Sequence, residues 1–256
     1  MMSRRHFMTT AAAAGAGATS LSYASAGQAV RSRLRVIVCD VNETLLDIEA
    51  LAPHFARAFG DAGALREWFS TLLLYSNVVS LAGPYSDFGA LAGAALDMVA
   101  DARGKSLDPA DRGRILAGIR ELPAHPDVRP ALEELRKAGF RLVTLTNSAP
   151  AAVEAQLKYA GLSEFFERSF SVDTVRRFKP APEPYQMVAK TLSVDIGDLR
   201  LVAAHAWDIV GALQAGCAAA FVARPGKVLF PLGPKPDIVA PDLRGIAERI
   251  IATEKL

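Results

Sequence analysis

LRVIVCDVNETLLD, residues 34–47, joins a β-branched apolar run to an acid and a polar turn. A short run of Val and Ile without polar alternation is the pattern of a strand buried on both faces, as parallel strands are. Asp40 stands where such a strand, Leu34 to Asp40, delivers a side chain to its carboxyl end. The pattern returns at Arg141 to Asn147 (RLVTLTN), at Leu199 to Ala204 (LRLVAA) and at Ala219 to Ala223 (AAFVA), the last ahead of a Pro225-Gly226 turn. Between them, Val128 to Ala138 and Ala151 to Ala160 have helical patterns. Each is followed by a glycine, Gly139 or Gly161, at the expected carboxyl-terminal cap. Strands alternating with helices predict an α/β fold, a doubly wound (Rossmann-like) parallel sheet.

One region breaks the alternation. Residues 50–123 offer helical stretches and no clear strand, which predicts a helical cap inserted between two parts of an α/β core, 34–49 and 124–250. Trp68, Phe69, Leu72, Leu73 and Tyr75 recur there at helical spacing, chiefly for packing, with some facing the site.

The chain has 256 residues, 51% of them hydrophobic, enough to bury the core of one α/β domain with a smaller inserted unit and too apolar for disorder. Its 29 basic and 27 acidic residues leave a formal charge of +2, inflated by Arg4, Arg5, Arg31, Arg33 and Arg35, so no nucleic-acid partner is implied. Cys39 lies inside an apolar strand and Cys217 in an Ala-rich stretch, and both read as buried small hydrophobes.

The amino terminus has a paired arginine, Arg4-Arg5, ahead of an Ala/Gly/Thr/Ser stretch from Met8 to Ala26 without an acid. Its glycines and small residues make it weakly hydrophobic for a membrane anchor. Ala24-Ser25-Ala26 offers a cleavage site, so residues 1–26 are expected to be a removable signal. Their resemblance to twin-arginine signals implies passage through the Tat translocase to the periplasm or the exterior.

In an open parallel sheet, reactive groups gather beyond the carboxyl ends of the strands, where helix amino termini supply N–H donors. Asp40, the Thr146-Asn147 pair, Lys179 and Asp208 all fall at such ends in this order. An acid at a strand end can be a mere helix cap. Four polar ends in one chain, in this order, instead point to a shared site.

From about Leu34 to Glu248 the chain resembles the haloacid dehalogenase superfamily, and within it the type II, L-2-haloacid dehalogenases. DVNETLLD, LTNSAP, FKPAPEPY and HAWDIVGALQAG carry the four motifs, and FVARPGKVLFPLGPKPDIVAPDL looks like the tail of these enzymes. The resemblance implies that Asp40 attacks carbon 2 of a short 2-halocarboxylate, expels halide and forms an ester that water cleaves. Lys179 would hold Asp40 ionised, since a cation within about 4–6 Å lowers a carboxylate pKa. Asp208 would position Lys179 and the water. Thr44 and Thr146 would steady nucleophile and substrate, with Asn147 completing the anion pocket. Tyr185 matches a tyrosine that packs near the lysine, and Trp207 would form an apolar wall. No cofactor is expected, and the resemblance leaves homodimer formation open.

Three departures bear on the reaction. Phosphatases of the superfamily have a second Asp two positions after the nucleophile, where this chain has Asn42. An amide cannot exchange a proton with a leaving alcohol, and the fourth motif supplies only Asp208 for a metal, so phosphoryl transfer is disfavoured. His205 stands where many of these dehalogenases have Asn, either orienting water or substrate or satisfying a buried hydrogen bond. Phe69 follows Trp68 where these enzymes place the Arg that receives the halide. Two alternatives remain: a phosphatase-like hydrolase, marked by strict Mg²⁺ dependence, and an exported carboxylate-binding protein, marked by stoichiometric binding without product.

Overall fold

Val36–Cys39 (β1) is the centre of a parallel sheet in the computed structural model, which describes residues 36–254. The signal expected at 1–26 and the expected strand residues Leu34 and Arg35 lie outside the described residues. The other strands are β2 (Arg141–Thr146), β3 (Arg168–Ser171), β4 (Leu199–Ala203), β5 (Ala218–Val222) and β6 (Ile238–Ala240). Their order, β3-β2-β1-β4-β5-β6, is parallel throughout, as expected of a doubly wound sheet. Sequence patterning predicts four of the six strands among the described residues and misses β3 and β6. The sheet's outer strands have the sequences RSFS and IVA, too polar or too short to stand out.

Side-chain parity along β1 decides which way the site faces. Ile37 and Cys39 pack with Leu132 of α5 (Val128–Lys137) and Ile246 of α9 (Leu243–Thr253). Val36 and Val38 pack on the other face, with Tyr185 and Val188 of α7 (Pro182–Leu192) and Ile209 of α8 (Ala206–Ala215). Strand side chains alternate with a period of two, so Asp40 continues the Val36–Val38 row toward α7 and α8. The Asp40 N–H bonds Val202 O at 3.0 Å, which carries the ladder one residue past the strand. β1 lies between β2 and β4, where the strand order reverses, and its carboxyl end opens at the sheet's switch point.

Between β1 and α5 the chain forms α1 (Ala52–Phe59), α2 (Ala64–Ala82), α3 (Phe88–Ala102) and α4 (Pro109–Gly118). The two ends of this segment meet: Asp47 N bonds Pro123 O at 2.8 Å, and His125 N bonds Leu45 O at 3.0 Å. Asp87 caps α3 through Ala90 N, and Asp108 caps α4 through Ala110 N, each satisfying a helix donor that otherwise has no partner. Leu65, Trp68, Phe69 and Leu72 turn one face of α2 onto Phe55 and the α3 row Ala92, Ala95, Leu96. Each large side chain fully buried there contributes about 1.5–3 kcal/mol. Cys39 and Cys217 are buried free thiols, and burial pushes both pKa values up to about 12, so neither is a thiolate near neutrality. No described helix is long and apolar enough to cross a membrane.

Candidate active site

Lys179 leaves the loop between β3 and α7 and is held by its backbone before its charge is used. Phe178 N bonds Ser80 Oγ of α2 at 3.0 Å, and Lys179 N bonds Asn147 Oδ1 at 3.1 Å. Its ammonium then meets Asp40 Oδ1 at 2.8 Å, Asp208 Oδ2 at 2.6 Å and Leu145 O at 3.0 Å. All three N–H donors are used, and the side chain is fully buried.

Asp208 lies in the first turn of α8, where the helix dipole favours an acid. Its other oxygen accepts from the Tyr185 hydroxyl at 2.5 Å. Tyr185 is itself buried, so it supports Asp208 and does not point to an opening. Thr44 accepts from Ala204 N at 2.9 Å, which turns its own hydroxyl proton to Asp40 Oδ2 at 2.6 Å.

His205, immediately before α8, faces two carboxylates. Nε2 is 2.7 Å from Glu43 Oε2, and Nδ1 is 3.3 Å from Asp40 Oδ2. Glu43 in turn accepts from Lys227 Nζ at 2.6 Å. The Trp207 ring stacks on His205 at 5.0 Å between centroids, with Phe69 on another side at 6.3 Å. Lys227, Glu43, His205, Asp40, Lys179 and Asp208 thus form a chain of alternating charge.

Burial by itself would raise the Asp40 pKa, but the Lys179 ammonium, aided by His205, reverses this and holds the carboxyl well below its usual range. Asp208 moves the other way, raised by burial and the charge of Asp40 against the pull of Lys179. Burial opposes the charge of Lys179, yet the two carboxylates outweigh it and raise its pKa. Burial likewise works against an imidazolium, but Asp40 and Glu43 push His205 up to about 9. Asp40 is therefore ionised and His205 charged at neutral pH.

The remaining expected residues take varied positions. Thr146 Oγ1 accepts from Ser148 N at 3.1 Å, at the carboxyl end of β2. Asn42 is bound within the protein, donating to Ser148 Oγ at 3.2 Å and accepting from Gln156 Nε2 at 2.8 Å. Trp207 also lies over Lys179, with Nζ 5.8 Å from the ring centroid. Glu43, Lys227 and Arg224 escape the sequence reading. Arg224 clamps Thr44 O through Nε at 3.2 Å and Nη2 at 2.8 Å while Nη1 meets Asp127 at 2.8 Å. The one local clue, a Glu inside DVNETLLD, says nothing about partners far along the chain.

A cavity of about 230 Å³ opens against Glu43 and Phe69, lined also by Leu65, Arg66 and Lys227. Asp40 is not among the lining residues and is 4% exposed. A buried, ionised carboxylate held by an ammonium and a hydroxyl is equipped to act as a nucleophile.

The family model of haloacid dehalogenase-like hydrolases matches residues 34–216. The (S)-2-haloacid dehalogenase of Pseudomonas sp. (strain YL) is 29% identical over 219 residues, 84% of this chain and 94% of that protein. The (S)-2-haloacid dehalogenase 1 of Pseudomonas sp. (strain CBS-3) is 33% identical over 184 residues, 70% and 80% of the two chains. The solved L-2-haloacid dehalogenase of Xanthobacter autotrophicus, with chloropropionic acid covalently bound, superposes with a TM-score of 0.79 at 27% identity and covers 86% of this chain and 98% of that one. With the sheet, the motifs and these likenesses in agreement, the chain belongs to the haloacid dehalogenase-like hydrolases, on the branch of the (S)-2-haloacid dehalogenases.

Proposed function

We propose that this protein hydrolyses the carbon–halogen bond of short 2-haloalkanoic acids through an ester on Asp40, without a metal ion. The observation that carries the reading is the state of Asp40, ionised between Lys179 at 2.8 Å and Thr44 at 2.6 Å, with Asn in place of an acid at position 42. Oδ2 takes both Thr44 and His205, so Oδ1, which meets Lys179, keeps the free lone pair for attack on carbon 2. The C2–halogen bond breaks with its electrons on the halide, and water then cleaves the ester. The Lys179 ammonium already neutralises Asp40 and Asp208 together, and this favours metal independence.

In this reading Asp208 sets Lys179, Thr146 and Asn147 bind the substrate carboxylate, and Trp207 and Phe69 give the site its apolar side. The covalently bound chloropropionic acid in the Xanthobacter enzyme supports an ester mechanism. Export rests on the sequence of residues 1–26, and exchange of Arg4-Arg5 for lysines should leave the protein in the cytoplasm.

The deciding assay is halide release from L-2-chloropropionate and chloroacetate in the presence of EDTA, with Asp40→Asn alongside. Release that disappears in the variant supports the proposal. Silence with both substrates, together with Mg²⁺-dependent phosphate release from an aryl phosphate, would replace it with the phosphatase reading.

A further inference from the structure

The buried row of α2 runs Leu65, Phe69, Leu72, Ser76, Ser80, apolar as far as Leu72 and then two serines at helical spacing. The two hydroxyls are used differently. Ser76 turns back into its own helix and donates to Leu73 O at 2.8 Å. Ser80 reaches out of the cap: its Oγ accepts from Phe178 N at 3.0 Å, and its carbonyl oxygen accepts from the Arg177 guanidinium. A buried backbone N–H needs a partner, and the one next to the catalytic lysine finds it on the cap.

The chain between α2 and α3 grips the same loop. The Tyr85 ring stacks on Phe178 with centroids 5.2 Å apart, and Phe88, the first residue of α3, meets it at 6.0 Å. The Tyr85 hydroxyl donates to the Asp173 carboxylate, and the Arg176 guanidinium lies over the Tyr85 ring at 5.4 Å. Arg176 has a left-handed backbone, φ 52°, which a residue with a Cβ adopts at a cost and keeps only where surrounding contacts demand it.

Phe178 and Lys179 divide the loop between two partners. The Phe178 side chain is fully buried in the cluster that holds Phe88 and Leu91 of the cap, whereas the next residue sends its ammonium to Asp40 and Asp208. One peptide step therefore separates the cap from the charge that prepares Asp40. We infer that the corner between α2 and α3 is the clamp that sets Lys179 against Asp40, with Ser80 and Tyr85 as its positioning residues. The inference rests on the use of Lys179 in the dehalogenation proposed above. Neither residue touches substrate; each acts through Phe178. A cap corner that moved would draw Phe178 with it and pull the ammonium off its contacts at 2.8 and 2.6 Å.

The test compares Ser80→Ala with Ser76→Ala in the full chain, since both delete a buried hydroxyl from one face of α2 and only the first touches the lysine loop. Amide hydrogen exchange, followed by NMR without substrate, should quicken in Ser80→Ala at Phe178 and also at Lys179, whose own acceptor, Asn147 Oδ1, is left in place. The single-turnover burst of halide from L-2-chloropropionate should slow by up to about 10²-fold, the scale of a misplacement of about 1 Å. Burial would raise the Asp40 pKa and Lys179, aided by His205, lowers it, so a displaced ammonium should also move the acid limb of the burst upward, toward the ordinary 3.8. Ser76→Ala should match wild type in all three. An unchanged burst and acid limb in Ser80→Ala would overturn the inference, as would faster exchange confined to Phe178 or equal losses in Ser76→Ala. If Ser80→Ala does not fold, Tyr85→Leu, which removes the stack from a half-buried position, decides by the same three measurements. Absence of halide release by wild type would defeat the dehalogenase reading instead, and the exchange data would still report on the clamp.

Discussion

The Lys179 ammonium lies closer to Asp208 than to Asp40, at 2.6 Å against 2.8 Å, so a single buried cation serves two carboxylates. Removing that cation should be far more damaging than removing a surface charge. Lys179→Met keeps most of the side-chain volume but leaves Asp208 without a cation and Asp40 with His205 alone, and breaking a buried pair in this way costs about 3–5 kcal/mol. We expect a loss of that size in urea denaturation at neutral pH, no ester formation, and recovery of part of the stability at acid pH as one carboxylate takes up a proton. A variant as stable as wild type at pH 7 would show that the ammonium is not the charge that balances the pair.

The charge state of His205 gives stability a pH dependence of definite sign. Its folded value of about 9 lies above the ordinary 6.5, because Asp40 and Glu43 outweigh burial. The contribution is therefore fully present below pH 6.5 and lost as pH rises through about 9, and a displacement of this size corresponds to about 3 kcal/mol. Asp40 acts in the opposite sense: its folded pKa is depressed, so its contribution is present above 3.8 and lost as pH falls. Thermal unfolding from pH 6 to 10 should show a decline in wild type across the upper range, and Glu43→Gln should flatten it. Equal slopes in the two proteins would mean that Glu43 does not hold the proton on His205.

Thr44 relays a backbone donor to Asp40. Its oxygen takes the Ala204 N–H at 2.9 Å and its proton goes to Asp40 at 2.6 Å, in a fully buried position. Thr44→Val preserves shape but strands the Ala204 N–H and leaves Asp40 Oδ2 with His205 alone, a cost of about 1–3 kcal/mol. We expect slower halide release in a single turnover, and Thr44→Ser should restore most of the rate. A valine variant with an unchanged burst would show that the Thr44 hydroxyl does not tune Asp40.

The sequence was most legible where local pattern and burial coincide. β1, β2, β4 and β5 lie inside the sheet, and their apolar runs declare them. β3 and β6 have a neighbour on one side only, so RSFS and IVA need little apolar character and resemble loop. Asp40, Lys179 and Asp208 were readable because each ends a recognisable segment. Glu43 was not, because its value to the site depends on a left-handed turn and on two partners, His205 and Lys227, from distant parts of the chain. The role of Arg224 is hidden for the same reason, as it closes on Thr44 O from 180 residues away.

Gly211 shows how closely α8 must approach the lysine loop. A Cβ at this position would lie 2.7 Å from Pro180 O and 2.8 Å from Pro180 Cα, backbone atoms that cannot rotate aside. Pro180 follows Lys179, and Gly211 stands one turn after Asp208 on α8, so relief of the clash must move one partner of the Lys179–Asp208 pair. Gly211→Ala should therefore destabilise by about 1–3 kcal/mol, the usual cost of overpacking, and lower turnover even in the folded fraction. Gly113 in α4 is the matched control. It is exposed, a Cβ there meets nothing within 4 Å, and Gly113→Ala should be neutral or stabilising by about 0.5–1 kcal/mol. Urea denaturation and halide release on both proteins would separate helix propensity from close packing. Gly211→Ala behaving like Gly113→Ala would mean that the lysine loop has room to retreat, and that the 2.6 Å contact between Lys179 and Asp208 does not depend on the missing Cβ.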